Sequence, residues 1–423
     1  MLRTETVFTW AAPPIKFGVG AIAELGWDVA QYGVRRALLL TDPGVAATGL
    51  ADEVAAILRA AGIGCDVFDE VAVEPTDDSI DKAAAFARGG TWDGLVALGG
   101  GSAIDTAKAV NLLVTQDGTL MDFVAPPIGR GRVPDRPLLP LIAVPTTAGT
   151  GSEATTICVV DLLSMRLKAG ISTARLRPVM AVVDPATTLS LPSEVTAACG
   201  IDVLSHALES YTAKSFDARP AFESPAKRAA FCGSNPISDR WCEEAIRLVG
   251  EHLRSAVVNG TDLAARGGMM LASTYAGIGF GNAGTHLPHA NAYPVAGQVR
   301  SYRAAGYPEM PMVPHGQAVA STAMASFRFT FPACRERHLR AASLLQGRPV
   351  DVEMGSEALP SALGELFADI GVPAGIGTFG FGNDDIPALA AGTMKQQRQL
   401  SVVPRPVDES AVRSIFEQSL RGR

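Results

Sequence analysis

Gly94-Leu95-Val96-Ala97-Leu98-Gly99-Gly100-Gly101-Ser102-Ala103-Ile104-Asp105-Thr106-Ala107-Lys108 decides how this chain is to be read. It opens on an unbroken apolar run, the pattern of a strand buried on both faces of a parallel sheet. Three glycines follow, and they let the backbone take positive φ and come close to a ligand. Residues 102–114 then read as a helix. Strand, glycine turn and helix in that order aim free N–H groups and the positive end of a helix dipole at the turn, which suits a phosphate. The run is not a G-x-G-x-x-G fingerprint, and a plain tight βα turn would look the same.

The alternation extends outward from this unit. Further strands are expected at 36–41, 64–68, 141–144 and 179–183, with helices near 47–61 and 78–88. Continuous apolar strands alternating with helices make a parallel α/β sheet. After Asp184-Pro185 the strands fade and Ala/Leu-rich segments take over. Helices are expected at 196–212, 239–258, 262–279, 314–326, 357–370, 384–395 and 408–420. The expected fold is therefore α/β: a Rossmann-like parallel-sheet domain over residues 1–186, which binds a dinucleotide, followed by an all-helical domain over 187–423, which carries metal and substrate. Residues 213–236, rich in Pro, Ser and charge, read as a loop or insertion.

Composition excludes other classes. The chain has 423 residues, 47% hydrophobic and 19% charged, with a net charge of −7. That argues for a well-buried globular protein rather than a disordered one, and against nucleic acid or an anionic membrane as a partner. Six scattered cysteines without CxxC spacing argue against a disulfide framework or a zinc ribbon. No run of about 18 apolar residues suggests a membrane span. The first residues lack a signal peptide's apolar core and carry an early acid, Glu5, so a cytoplasmic location is expected.

A second loop follows the 141–144 strand: Pro145-Thr146-Thr147-Ala148-Gly149-Thr150-Gly151-Ser152-Glu153. Its hydroxyls and amides suit a nucleotide, and strand C-termini are where open α/β sheets place ligands. Asp42, at the end of the first predicted strand, could accept from a ribose 2′-OH, which favours NAD over NADP; Asp42-Pro43-Gly44 is equally an ordinary turn.

The helical half holds a different chemistry. Asp202 and His206 lie four apart, one helical turn, so both can point to one side. His315 comes later, as does a close pair, His286 and His289, whose spacing does not say which one ligates. One carboxylate with three imidazoles could form the first shell of a divalent transition metal, Fe(II) or Zn(II). His252 and His338, beside Glu251 and Arg337, read as surface residues.

Taken in order, Gly99-Gly100-Gly101-Ser102…Asp105…Lys108, the loop at 145–153, the Asp202/His206 helix and His289…His315 resemble the iron-containing (group III) alcohol dehydrogenases. Val73-Glu74-Pro75-Thr76-Asp77, Gly233-Ser234-Asn235-Pro236 and the insertion at 213–236 are most similar to the hydroxyacid-oxoacid transhydrogenase branch. The resemblance implies a dehydroquinate synthase-like architecture and metal ligation by Asp202, His206, His289 and His315. It implies NAD on Gly99, Gly100, Gly101, Ser102, Asp105, Thr146 and Thr147, with Asp42, Glu74 and Lys168 also at the cofactor. Many members carry a histidine where this chain has Tyr293, the residue then placed to relay protons. The implied reaction is metal-dependent hydride transfer between a hydroxyacid or alcohol and the nicotinamide, in the 4-hydroxybutyrate plus 2-oxoglutarate manner. A conventional NAD-dependent alcohol dehydrogenase, or a non-catalytic binding or assembly protein, are the alternatives. Carboxylate substrates require a cation, for which Arg300 and Arg303 are candidates. A homodimer or larger homo-oligomer is expected.

Overall fold

A computed structural model describes residues 4–165, 167–225 and 228–421. The chain divides into a sheet unit, Ala12–Ser190, and a helical unit that starts at Leu191 and includes the N-terminal segment through Ala11.

The sheet unit is built on eight strands: β1 (Ile15–Phe17), β2 (Arg36–Leu40), β3 (Gly64–Phe68), β4 (Gly94–Gly99), β5 (Leu141–Pro145), β6 (Ile157–Leu162), β7 (Leu167–Ser172) and β8 (Met180–Val183). Six form one parallel sheet in the order β1-β8-β5-β4-β2-β3. The central strand β4 sets Leu95 beside Leu38 and Leu141, and Ala97 beside Leu40 and Ala143. Both faces are covered, which is why these strands are apolar throughout rather than alternating. On one face Ala37, Leu39, Val96, Leu98 and Ile142 pack with α1 (Leu25–Gln31) and, past the short α2 (Pro43–Ala47), with α3 (Leu50–Ala60). On the other face Leu38, Leu40, Leu95 and Ala97 pack with α4 (Asp77–Arg88) and α5 (Gly101–Thr115); a single-turn α6 (Leu120–Phe123) follows. From β2 the chain continues outward to β3 and then returns to β4 on the opposite side. The crevice between the carboxyl ends of β2 and β4 is thus the topological switch point.

Two features of this unit escape a sequence reading. β1 is three residues long, too short to show a pattern. β6 and β7 pair antiparallel as a separate hairpin, within a stretch where no strand was expected.

The helical unit contains α7 (Ser193–Thr212), α8 (Pro236–Val258), α9 (Leu263–Ala283), α10 (Leu287–Gly297), α11 (His315–Thr330), α12 (Arg335–Gln346), α13 (Ala358–Asp369), α14 (Ile386–Met394), α15 (Gln397–Leu400) and α16 (Glu409–Gln418). Helix α7 is buried on nearly all sides from Thr196 to Thr212, polar residues included, as expected of a helix at the centre of a unit. Prolines hid α10: Pro288 sits in its first turn, where no N–H is needed, while Pro294 lies inside it. His338 is a correction. It is buried, with its ring within 3.0 Å of both the Thr330 hydroxyl and the Cys334 carbonyl, because α12 turns it inward from the charged residues around it.

The boundary also differs from a cut after residue 186. The change of unit falls after Ser190, and the N-terminal strap belongs to the helical unit. Glu5 N–H donates to the Arg219 carbonyl, and the Asn282 side chain grips Ala11 by both N–H (3.0 Å) and C=O (2.9 Å). This is long-range pairing, which local sequence patterns do not report.

Candidate metal centre and nucleotide loops

Helix α7 supplies three side chains to one buried cluster. Asp202, His206 and Glu209 lie on consecutive turns of one face, at 3%, 5% and 0% exposure. His289 enters from the first turn of α10, and His315 is the first residue of α11. Asp202 Oδ1 is the common neighbour, lying 3.8 Å from His206 Nε2, 3.4 Å from His289 Nε2 and 3.9 Å from His315 Nε2. Gly316 permits this convergence, since a Cβ there would meet the Ala198 carbonyl oxygen of α7 at 1.9 Å.

The cluster fits a divalent cation. Donors about 2.1 Å from one ion at tetrahedral angles lie roughly 3.4 Å apart, close to the spacings found. Asp202 Oδ1 and His289 Nε2 are buried and lack a hydrogen-bond partner, although they face each other, and buried polar atoms seldom go unpaired. Asp202 and Glu209 also bring two carboxylates into the buried cluster, which a dication neutralises.

Glu209 is the functional residue that sequence reasoning missed. Its Oε1 lies 2.6 Å from His289 Nδ1, and its Oε2 accepts from the His286 N–H at 2.5 Å. A carboxylate on Nδ1 fixes the tautomer that leaves Nε2 as a lone-pair donor. The signal was present: Glu209 follows His206 by three, on the same helical face. His286 has a different task. Its Nδ1 accepts from Leu287 N–H at 2.8 Å as the cap of α10, and its Nε2 meets the Thr212 hydroxyl at 2.9 Å. Both nitrogens are therefore occupied.

Burial and charge set the titration of the cluster. Burial pushes His206 down to about 3. It would do the same to His289, but the Glu209 and Asp202 carboxylates outweigh it and hold that ring at about 9. Burial alone would raise Asp202, yet the His206 and His315 rings keep it well below the usual carboxylate range. His286 is pushed down to about 4, chiefly by burial. His206 is clamped flat between Phe280, stacked at 3.9 Å, and His289, stacked at 4.5 Å. His315 is the most open member, with a side chain 22% exposed, and Tyr293 stands beside it with ring centroids 6.1 Å apart. Arg300 and Arg303 are elsewhere: the first pairs with Asp385 at the surface, and the second, exposed, donates to the Glu309 carbonyl.

In the sheet unit, the glycine run and the threonine loop meet at the switch point. Gly99 has φ +152°, and a Cβ on it would meet Ala103 Cβ at 2.6 Å and Asp42 Oδ2 at 3.3 Å. A Cβ on Gly100 would press Thr147 at 3.1 Å, and one on Gly101 would strike Thr150 at 2.4 Å. The glycines thus bring the two loops together, and Thr146 N–H donates to the Gly99 carbonyl. No side chain caps the N-terminus of the 15-residue α5, which leaves its dipole facing this crevice. Asp42 Oδ1 caps α2 by accepting from Val45 N–H.

Glu74 holds an uncommon left-handed backbone, φ 58°, with its N–H donating to Ser102 Oγ. Lys168 gives two charged contacts, to Glu74 at 2.5 Å and Asp161 at 2.6 Å. These carboxylates outweigh its burial and hold the ammonium above its usual range. Asp105 points inward, where Ser152 Oγ–H donates to its Oδ1 at 2.5 Å and Val159 N–H to its Oδ2 at 2.8 Å. Lys108, fully buried, donates to the Ser152 and Ile157 carbonyls and to the Ser152 and Thr155 hydroxyls. The Asp105 and Lys108 pair ties the second loop and the β6 strand to α5.

Both units match known proteins. Residues 12–185 match the family model of iron-containing alcohol dehydrogenase, and 196–420 match the C-terminal model of the Fe-containing alcohol dehydrogenase family. The mitochondrial hydroxyacid-oxoacid transhydrogenase of Xenopus laevis is 43% identical over 99% of this chain and 91% of the frog protein. The crystal structure of a 1,3-propanediol oxidoreductase superposes with a TM-score of 0.85 at 31% identity, over 98% of this chain and all of that one. Sulfoacetaldehyde reductase from Bifidobacterium kashiwanohense, solved in complex with NAD+, gives 0.79 at 25% identity, over 98% and 99%. The cytoplasmic expectation does not survive this comparison, because the similar frog enzyme is named as mitochondrial. That expectation rested on a missing apolar core, which speaks against secretory signals, and on the early acid Glu5, which disfavours a mitochondrial presequence; one acid does not outweigh the mitochondrial naming of the relatives. The family works with a divalent metal, iron by its description, and with nicotinamide dinucleotide. With sheet and helical units both matched in order along nearly the whole length, this chain belongs to the iron-containing alcohol dehydrogenase family of oxidoreductases.

Proposed function

We propose that the chain is a hydroxyacid-oxoacid transhydrogenase. The observation that carries this is the buried Asp202–His206–His289–His315 cluster braced by Glu209, in a chain 43% identical to an enzyme of that name. In the reaction, 4-hydroxybutyrate loses a hydride and a proton to become its semialdehyde. 2-Oxoglutarate gains both and becomes 2-hydroxyglutarate, so no free NAD is consumed.

Asp202, His206, His289 and His315 would hold the metal, and the glycine and threonine loops the dinucleotide. When bound, the metal supplies Lewis-acid polarisation of the substrate oxygen, and the nicotinamide carries hydride. The chain's own residues do the rest. Glu209 keeps His289 in the Nδ1–H tautomer. Phe280 fixes the His206 ring and keeps water from its face. Tyr293, beside His315, carries a hydroxyl that can pass the substrate's proton outward. Asp42 Oδ2 faces the crevice of the switch point, where it accepts from a ribose 2′-OH and repels a 2′-phosphate; this favours NAD over NADP. Lys168 has three ammonium hydrogens and two carboxylate partners, which leaves one donor for the cofactor. Iron is the metal of the family's description, and zinc suits the same donors. The active form is a homodimer or larger.

The test is to mix 4-hydroxybutyrate, 2-oxoglutarate and metal-loaded enzyme without added NAD. Formation of 2-hydroxyglutarate is expected. If none forms while added NAD is reduced by simple alcohols, the enzyme is instead a conventional alcohol dehydrogenase, the reading favoured by its likeness to 1,3-propanediol oxidoreductase.

Glu209→Gln keeps the side chain's shape but removes its charge. Metal affinity should fall by about 10- to 100-fold. Dialysis against graded chelator, followed by metal analysis, measures this. Retention equal to wild type would show that Glu209 does not tune the centre.

A further inference from the structure

We infer that Arg398 receives the carboxylate of the substrate and makes the centre selective for hydroxyacids over neutral alcohols. This rests on the transhydrogenase reading and names the residue behind its substrate class. His315 marks the open side of the ligand cluster, being 22% exposed where Asp202, His206 and His289 are 4–6%. Tyr293 lines that side, and Arg398 Nη2 donates to its hydroxyl at 3.5 Å. Tyr293 therefore neighbours both the ligand ring and the guanidinium.

Arg398 has no carboxylate partner among the described residues, whereas nine of the seventeen described arginines of the helical unit have one. A half-buried guanidinium without a counter-charge is an anion site in waiting, and its fork matches a carboxylate in two parallel bonds. Its guanidinium carbon lies 5.9 Å from the Phe231 ring centroid, and that of Arg219 lies 5.8 Å from the same ring. Arg219 also lacks a carboxylate partner among the described residues, donating instead to the Phe231 carbonyl. One aromatic ring thus lies beside two guanidinium groups, in an attraction that does not consume their charge. Phe231 belongs to the 213–236 segment, whose sequence resembles the transhydrogenase branch, so that segment also borders the anion site.

The test compares 4-hydroxybutyrate with 1-butanol, which has the same carbon chain without the carboxylate, in wild type and in Arg398→Met. Each enzyme is metal-loaded and supplied with NAD. In the wild type kcat/KM should favour the acid. In Arg398→Met that preference should fall about 100-fold, mostly through KM, the scale of a lost charge-assisted bidentate contact. Arg398→Lys, which keeps charge but not the fork, should fall between them. A wild type with no preference for the acid overturns both this proposal and the transhydrogenase reading. A preference that survives in Arg398→Met overturns the role of Arg398 alone. Equal losses on acid and alcohol would show that Arg398 merely supports Tyr293, and would also overturn it.

Discussion

His289→Ala should lose bound metal and turnover together, with kcat/KM down by about 1,000-fold or more, the scale of removing charge stabilisation at a reacting oxygen. The ring is a proposed ligand through Nε2 and the only cluster member braced by Glu209 through Nδ1. Alanine removes both functions. Glu209 retains the His286 N–H donor, so the helical unit should stay folded, with a loss of about 1–3 kcal/mol for the unmet carboxylate oxygen. Metal content, far-ultraviolet circular dichroism and kinetics on one preparation decide it. His315→Ala makes a useful companion, because His315 is more exposed and should cost less stability for a similar loss of metal. A His289→Ala enzyme that keeps its metal and its rate would remove His289 from the ligand set.

Lys108→Met should be the most destabilising single change in the sheet unit, by about 3–5 kcal/mol, the range for leaving a buried charge without its partner. Methionine fills similar volume but donates nothing. The Ser152 and Ile157 carbonyls then lose a donor, and Asp105 loses the cation 3.7 Å away. The effect should depend on pH. Burial already raises the Asp105 carboxyl, against the pull of Lys108, Ser152 and Val159. Without Lys108 it rises further, so the folded state binds a proton that the unfolded state, with its ordinary carboxylate, does not. Stability of the variant should therefore increase as pH falls from 8 toward 5, and its deficit relative to wild type should narrow. Thermal unfolding at several pH values measures this. A constant deficit would show that lost packing, rather than the stranded carboxylate, dominates. Asp105→Asn in the same background should recover part of the loss.

These two expectations mark the limits of what the sequence displays. Apolar strands such as Leu95–Leu98 and the turn after them are local, and local signals suffice to expect a parallel sheet with ligand loops at its carboxyl edge. The glycines serve the loops differently from what their composition suggests: they admit Thr147 and Thr150 against the backbone, which no spacing rule records. The resemblance puts Asp105 at the cofactor, while in the fold both its oxygens are engaged inside the protein. In the helical unit the four-residue step from Asp202 to His206 was visible. Glu209 was not singled out, since an acid near the end of an apolar helix resembles a solvated residue until its burial is known. Arg398 lies over a hundred residues from Tyr293 in sequence, and only the tertiary fold makes them neighbours.

The strap through Ala11 gives synthesis and assembly different orders. The strap leaves the ribosome before the sheet unit, but its anchor, Asn282, is translated only after the whole sheet unit has emerged. The sheet unit can close on itself while the strap is still an unanchored leader, because domains fold as units during translation. The helical unit, by contrast, is sealed by segments made before and after the sheet unit. Truncating the amino terminus should accordingly injure the late-made half that holds the metal ligands, and spare the half to which those residues are directly joined.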